Sequence, residues 1–202
     1  MIRKENIDLN GCRLFYLEAP AGGNKAVILM HGYNWDSDIW IESKTIAELN
    51  EASINVYAMD VPGFPKSRSV TESGRNVAET DIFDALLGFI REKARQKELF
   101  LLGTSGSGYL ALKFAEKHGR LLKGVIAVAP VDLDAVRLDS IKTRVIAIWG
   151  SEDDVIRDVH GDELRFRRIG ETRIIEGAGH RPYIDRPDEF NSIITRFVSL
   201  YK

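Results

Sequence analysis

The chain has 202 residues, 44% of them hydrophobic and 29% charged, and its 28 basic and 30 acidic side chains leave a formal net charge of -2 at pH 7. That length suits a single domain, residues 1–202, with a core large enough to need no disulfide or metal staple, and the near balance of charge points away from nucleic acid or an anionic membrane as partner. Cys12 is the only cysteine, which excludes an intramolecular disulfide and a thiolate-rich metal site.

The N-terminal stretch MIRKENIDLNG has no signal-peptide apolar core, and no run approaches the roughly 18 apolar residues of a membrane span. A soluble, unprocessed, cytoplasmic protein is expected. Asn10-Gly11, between Ile2 to Leu9 and Arg13 to Ala19, favours a type I′ hairpin turn and so an antiparallel opening. Lys25 to Met30 reads as a strand, Asp38 to Ala52 as a helix, Ile54 to Asp60 as a strand, and Asn76 to Gln96 as a long amphipathic helix. Leu99 to Thr104 is the next strand, followed by a helix over Gly106 to His118 with Gly119 as its C-cap. Gly124 to Pro130 and Arg144 to Gly150 are buried strands, Val159 to Ile169 is a helix, Thr172 to Glu176 is the last strand, and Pro187 to Tyr201 is the closing helix. Arg165-Phe166-Arg167-Arg168 reads as the wet face of its helix. The pattern predicts an α/β fold: a mostly parallel eight-stranded sheet with an antiparallel N-terminal hairpin and helices on both faces.

In such sheets the chemistry gathers on loops at the carboxyl ends of the parallel strands. Those ends hold His31-Gly32-Tyr33, Asp60 to Gly63, Thr104-Ser105-Gly106, Pro130 to Asp132, Gly150 to Asp153, and Gly177-Ala178-Gly179-His180. Gly103-Thr104-Ser105-Gly106-Ser107 joins an apolar strand to an apolar helix, and small residues around the serine permit the sharp turn that exposes a nucleophile. Ser107 replaces the last glycine of the usual G-x-S-x-G pattern, with Gly108 following. No Lys-Ser or Lys-Thr follows, and the glycine spacing does not fit G-x-G-x-x-G, so neither phosphate-binding motif matches.

Ser105 needs a base of near-neutral pKa, and His180, on a bendable Gly-Ala-Gly-His loop, is the candidate. Asp153 is the leading partner for its other ring nitrogen, with Asp132 as an alternative acid and Asp154 as a neighbour in the same loop. The backbone N–H groups of Gly106 and Tyr33 are the candidate oxyanion donors. His31 beside Gly32 is expected to brace a loop behind the site. His118 suits a helix C-terminus, His160 an exposed loop, and no histidine joins a convincing metal set. Trp35, Phe64, Asp132 and the Val61 to Arg75 loop are candidates for the substrate pocket; Tyr109 fits a pocket or the core equally well, whereas Trp40 fits the buried face of its helix better.

With Ser105, Asp153 and His180 in this chain order, supported by His31-Gly32 before Trp40 and by the Asp60 to Ser67 segment, the sequence resembles the α/β-hydrolase superfamily over nearly its whole length. The ending GAGHRPYIDRPDEF and the small-residue elbow are similar to the lidless abhydrolase-domain-fourteen branch. Only Val131 to Thr143 occupies the place where a helical cap is commonly inserted, so no large cap is expected. The resemblance implies cofactor-free cleavage of an ester, thioester or related acyl bond in a small molecule through an acyl-enzyme, with perhydrolysis open to the same machinery. A binding or scaffold protein on the same fold is the alternative; the substrate and the oligomeric state are left open by the sequence.

Overall fold

The structure, a computed structural model, describes residues 1–9, 11–71, 77–156 and 158–200. Strands β1 (Arg3–Leu9) and β2 (Cys12–Ala19) pair antiparallel, Leu9 opposite Cys12. Gly11 takes φ 84° at the turn, a left-handed conformation that a glycine adopts without steric penalty; Asn10 lies outside the described residues. β3 (Lys25–Met30), β4 (Asn55–Met59), β6 (Glu98–Thr104), β7 (Gly124–Val128), β8 (Arg144–Gly150) and β9 (Glu171–Ile175) are parallel, in the order β1-β2-β4-β3-β6-β7-β8-β9. A two-residue strand, β5 (Val70–Thr71), pairs with β2 and brings the strands among the described residues to nine, against the expected eight. It has too few residues to show an alternating pattern.

Both faces of β3, β4, β6, β7 and β8 are buried, and alternate side chains divide between them. Ile28, Leu101 and Val125 go to one core; Val27, Phe100 and Ile126 go to the other. Helices α3 (Glu79–Phe89), α4 (Gly106–His118) and α5 (Val159–Phe166) cover the first face with residues such as Phe83, Phe114 and Phe166. Helices α1 (Ile39–Glu42), α2 (Thr45–Glu51), α6 (Pro182–Asp185) and α7 (Pro187–Ser199) cover the second with Trp40, Leu49, Tyr183 and Phe190. Trp40 is fully buried, as its place on a helix face requires.

Several boundaries differ from the sequence reading. The single helix expected over 38–52 is two, because Lys44 adopts φ 60° and breaks the ladder between them. The long helix expected from Asn76 begins at Glu79 and widens over Ile90–Ala94 into π-helical turns; Asn76 is outside the described residues, as is Tyr201, the expected end of the closing helix. Gly119 is the C-cap of α4 as expected, though right-handed (φ -54°): the chain tightens through it into a 3-10 turn, Gly119–Leu121. His160 lies within α5 and not in a loop, while Arg165, Arg167 and Arg168 face solvent around the buried Phe166.

Between β7 and β8 the chain makes only two 3-10 turns, Leu133–Ala135 and Leu138–Ser140, and no large cap covers the strand ends. The chain leaves β3 toward β4 on one side and reaches β6 on the other, so the loop after β3 sits at a topological switch point beside the end of β6.

Candidate active site

At the end of β6, Ser105 holds φ 55°, ψ -120°, a conformation that costs a non-glycine residue on the order of 1–3 kcal/mol. Its N–H donates to the Val128 carbonyl at 2.8 Å and its carbonyl accepts from Tyr109 at 3.1 Å, so both neighbouring elements fix the bend. Gly103 has to be glycine: a Cβ there would sit 2.0 Å from the Ser107 carbonyl oxygen. Ser107, the departure from the usual elbow pattern, is fully buried. Its hydroxyl accepts from the Thr104 N–H at 2.9 Å and donates toward the Met30 and Thr104 carbonyls at 2.9 and 3.0 Å, tying the elbow to β3.

The loops after β8 and β9 are laced together. The Ser151 and Glu152 N–H groups donate to the Ile175 and Ala178 carbonyls at 3.0 and 2.9 Å, and Gly177 donates to Ser151 Oγ at 2.9 Å. Gly150 is needed for this crossing, because a Cβ would lie 2.0 Å from the Ala178 carbonyl oxygen. The lacing sets His180 beside Asp153. His180 Nε2 is 3.0 Å from Ser105 Oγ, and Nδ1 is 2.9 Å from Asp153 Oδ2. The Asp153 side chain is inaccessible to solvent, while His180 retains 17% exposure. Burial pushes the Asp153 carboxyl up, but the His180 hydrogen bond and the Ile156 and Val155 amides outweigh it and hold the group below the usual carboxylate range.

Gly106 opens α4, where unpaired N–H groups and the helix dipole favour negative charge. Among the described residues, neither its N–H nor that of Tyr33 donates to another protein group. Phe64 stands against both: a Cβ on Gly106 would be 3.7 Å from Phe64 Cζ, and the Tyr33 and Phe64 rings are 5.4 Å apart. Trp35 is half-buried and packs on Gly32, across from Thr104. Asp132 is exposed at φ 52° and makes no hydrogen bond to His180 among the described residues. Tyr109 donates to Glu79 at 2.9 Å and is held by that carboxylate.

His31 is fully buried. Its Nε2 accepts from the Val61 N–H at 2.9 Å, which requires Nδ1 to carry the proton donated to the Gly32 carbonyl at 2.8 Å. Burial lowers its pKa, so the neutral ring links the loop after β3 to the loop after β4.

A second link was not foreseen. Fully buried Asp60 accepts from the Arg68 N–H at 2.6 Å, Arg68 Nε at 2.9 Å and the Ser37 N–H at 2.9 Å. Arg68 continues to Ser37 Oγ at 2.7 Å and Asp38 at 3.1 Å, and its guanidinium lies 3.8 Å from the Phe15 ring centroid. This node holds the Phe64 loop onto the site. Of the Val61 to Arg75 loop expected to border the pocket, residues 72–75 lie outside the described residues. The available signal was Asp60 itself, a carboxylate ending an apolar strand, which needs a cation when buried.

Arg68→Ala should lower stability by about 3 kcal/mol, since it strands a buried charge; urea unfolding at neutral pH measures this. Burial raises the Asp60 pKa, but Arg68 and Ser37 override it and hold the group low. The stabilisation is therefore present above the ordinary carboxylate range and is lost as pH falls through the lower folded value. The variant should unfold at higher pH than the wild type in an acid titration.

A concavity of about 770 Å³ is lined by residues around His118–Lys123 and Lys142–Arg144. It lies at the far end of α4, whose 13 residues span about 20 Å. Convergent polar groups mark the candidate site at Ser105. No helix among the described residues is long and apolar enough to cross a membrane.

Residues 23–145 match the family model Hydrolase_4, described as serine aminopeptidase, S33. ABHD14B of Homo sapiens, whose name puts it forward as a protein-lysine deacylase, is 29% identical over 97% of this chain and 95% of its own length. A CIB-like hydrolase from Thermoplasma acidophilum superposes with a TM-score of 0.87 at 25% identity, covering 98% of each chain. Naproxen esterase from Bacillus subtilis shares the fold, with a TM-score of 0.84 at 16% identity over 98% of this chain and 91% of its own. The chain belongs to the serine aminopeptidase S33 family and is an α/β-hydrolase of the ABHD14 branch.

Proposed function

We propose that the protein is a serine hydrolase that cleaves a small ester, thioester or acyl amide through an acyl-enzyme at Ser105. The observation that carries this is the continuous chain Ser105 Oγ, His180, Asp153, with contacts of 3.0 and 2.9 Å. His180 Nε2 takes the hydroxyl proton as Ser105 Oγ bonds to the acyl carbon, and Asp153 stabilises the imidazolium that forms. The Tyr33 and Gly106 N–H groups are available for the tetrahedral oxyanion. His180 then protonates the departing oxygen, sulfur or nitrogen. A water that gives its proton to the same nitrogen hydrolyses the acyl-serine, and the Ser105 proton is restored. The ABHD14B name extends the acyl-amide option to acylated lysine side chains.

A fluorophosphonate probe tests the assignment directly, because it reacts with an activated serine and leaves a scaffold protein unlabelled. Stoichiometric labelling mapped to Ser105 by peptide mass spectrometry is the expected result. A folded, unlabelled chain would leave the binding-protein reading standing.

A further inference from the structure

The rim of the crevice carries two cations that, among the described residues, have no anionic partner. Arg181 directly follows His180, and its guanidinium carbon lies 5.2 Å from the Trp35 ring centroid; Lys66 Nζ lies 5.4 Å from the same centroid. These are cation–π distances, and an indole is the strongest aromatic acceptor for them. Trp35 rests in turn on Gly32, one residue before the Tyr33 amide and across from Thr104, so the pair is anchored beside the nucleophile. Among the described residues neither cation has a carboxylate within ion-pair distance. The acids on the same loops are committed elsewhere: Asp36 and Asp38 to Arg68, and Asp185 to the Gly179 N–H.

Two cations that share one indole raise the positive potential at this part of the rim. An anionic group that docks beside either cation is attracted to it. Phe64 and Tyr33, with ring centroids 5.4 Å apart, add an aromatic surface beside Gly106. We propose that Arg181 and Lys66, positioned by Trp35, make this site selective for substrates that carry a carboxylate or comparable anion a few bonds from the scissile carbonyl. This rests on the serine-hydrolase reading and adds the class of substrate it favours.

The test compares mono-4-nitrophenyl adipate with its neutral methyl ester, and 4-nitrophenyl acetate with an acetyl ester whose leaving group bears a sulfonate. The first pair places the anion on the acyl side and the second on the leaving-group side. The ratio of kcat/KM, anionic over neutral, should favour the anion by about ten-fold in one pair, shrink with added salt, and fall about ten-fold in Arg181→Gln and in Lys66→Gln. Arg181→Lys should restore part of it. A ratio near one in both pairs, or one untouched by either substitution, overturns the proposal.

Binding without turnover supplies a separate readout. Trp35 is the only partly exposed tryptophan, since Trp40 and Trp149 are fully buried. Titrating Ser105→Ala with monomethyl adipate should give a saturable fluorescence change that Arg181→Gln weakens. Saturation with no turnover of any ester would keep the anion site and reject the hydrolase reading. Turnover of neutral esters with neither saturation nor selectivity would do the reverse.

Discussion

Ser105→Ala is expected to lower kcat for a short activated ester by about 10⁶-fold, with the folded structure intact. The hydroxyl's recorded side-chain contact is His180 Nε2 at 3.0 Å, so its loss leaves no buried partner unsatisfied. Alanine also keeps the strained φ of 55°, and the thermal midpoint should stay close to that of the wild type. Ser105→Gly separates strain from chemistry. Glycine tolerates positive φ, so it releases on the order of 1–3 kcal/mol of strain and loses roughly 0.5–1 kcal/mol to greater freedom in the unfolded chain. The glycine variant should be equally inactive and modestly more stable. Retained turnover in Ser105→Ala, measured on protein free of contaminating esterase, rejects the acyl-enzyme mechanism.

The elements that read most clearly in the sequence are those whose pattern is set by burial. β3, β6, β7 and β8 are near-continuous apolar runs because both their faces meet helices, and their ends fix which loops converge. Ser105, Asp153 and His180 were therefore legible as a set before their distances were known. What was not legible depends on contacts between distant segments. The split between α1 and α2 turns on one left-handed residue, Lys44, of a type that seldom takes that conformation. β5 exists because Val70–Thr71 meet β2, and nothing local announces it. Ser107 departs from the usual elbow pattern, and its hydroxyl fills the hydrogen-bonding needs of a site where glycine would leave Thr104 N–H without that acceptor. The Arg68 and Asp60 node escaped notice because a lone arginine in a loop resembles any solvated charge until the fold buries its partner.

Asp153→Asn should slow turnover by about 10⁴-fold, and the geometry says how. Asp153 Oδ1 accepts from both the Val155 and Ile156 amides at 2.9 Å. In the asparagine variant those two donors hold the amide oxygen in that place, which turns the NH₂ toward His180 Nδ1, 2.9 Å away in the wild type. An NH₂ facing Nδ1 makes that nitrogen the acceptor and moves the imidazole proton to Nε2. Nε2 then cannot take the Ser105 proton, although the side chains scarcely move. The expected signature is a large drop in kcat with little change in KM, because the Tyr33 and Gly106 N–H groups and the aromatic wall are untouched. Asp132→Asn is the matched control: its exposed carboxylate makes no bond to the imidazole, and asparagine tolerates φ 52°. Full activity in Asp153→Asn, or an equal loss in Asp132→Asn, would show that the imidazole is oriented by a group other than Asp153.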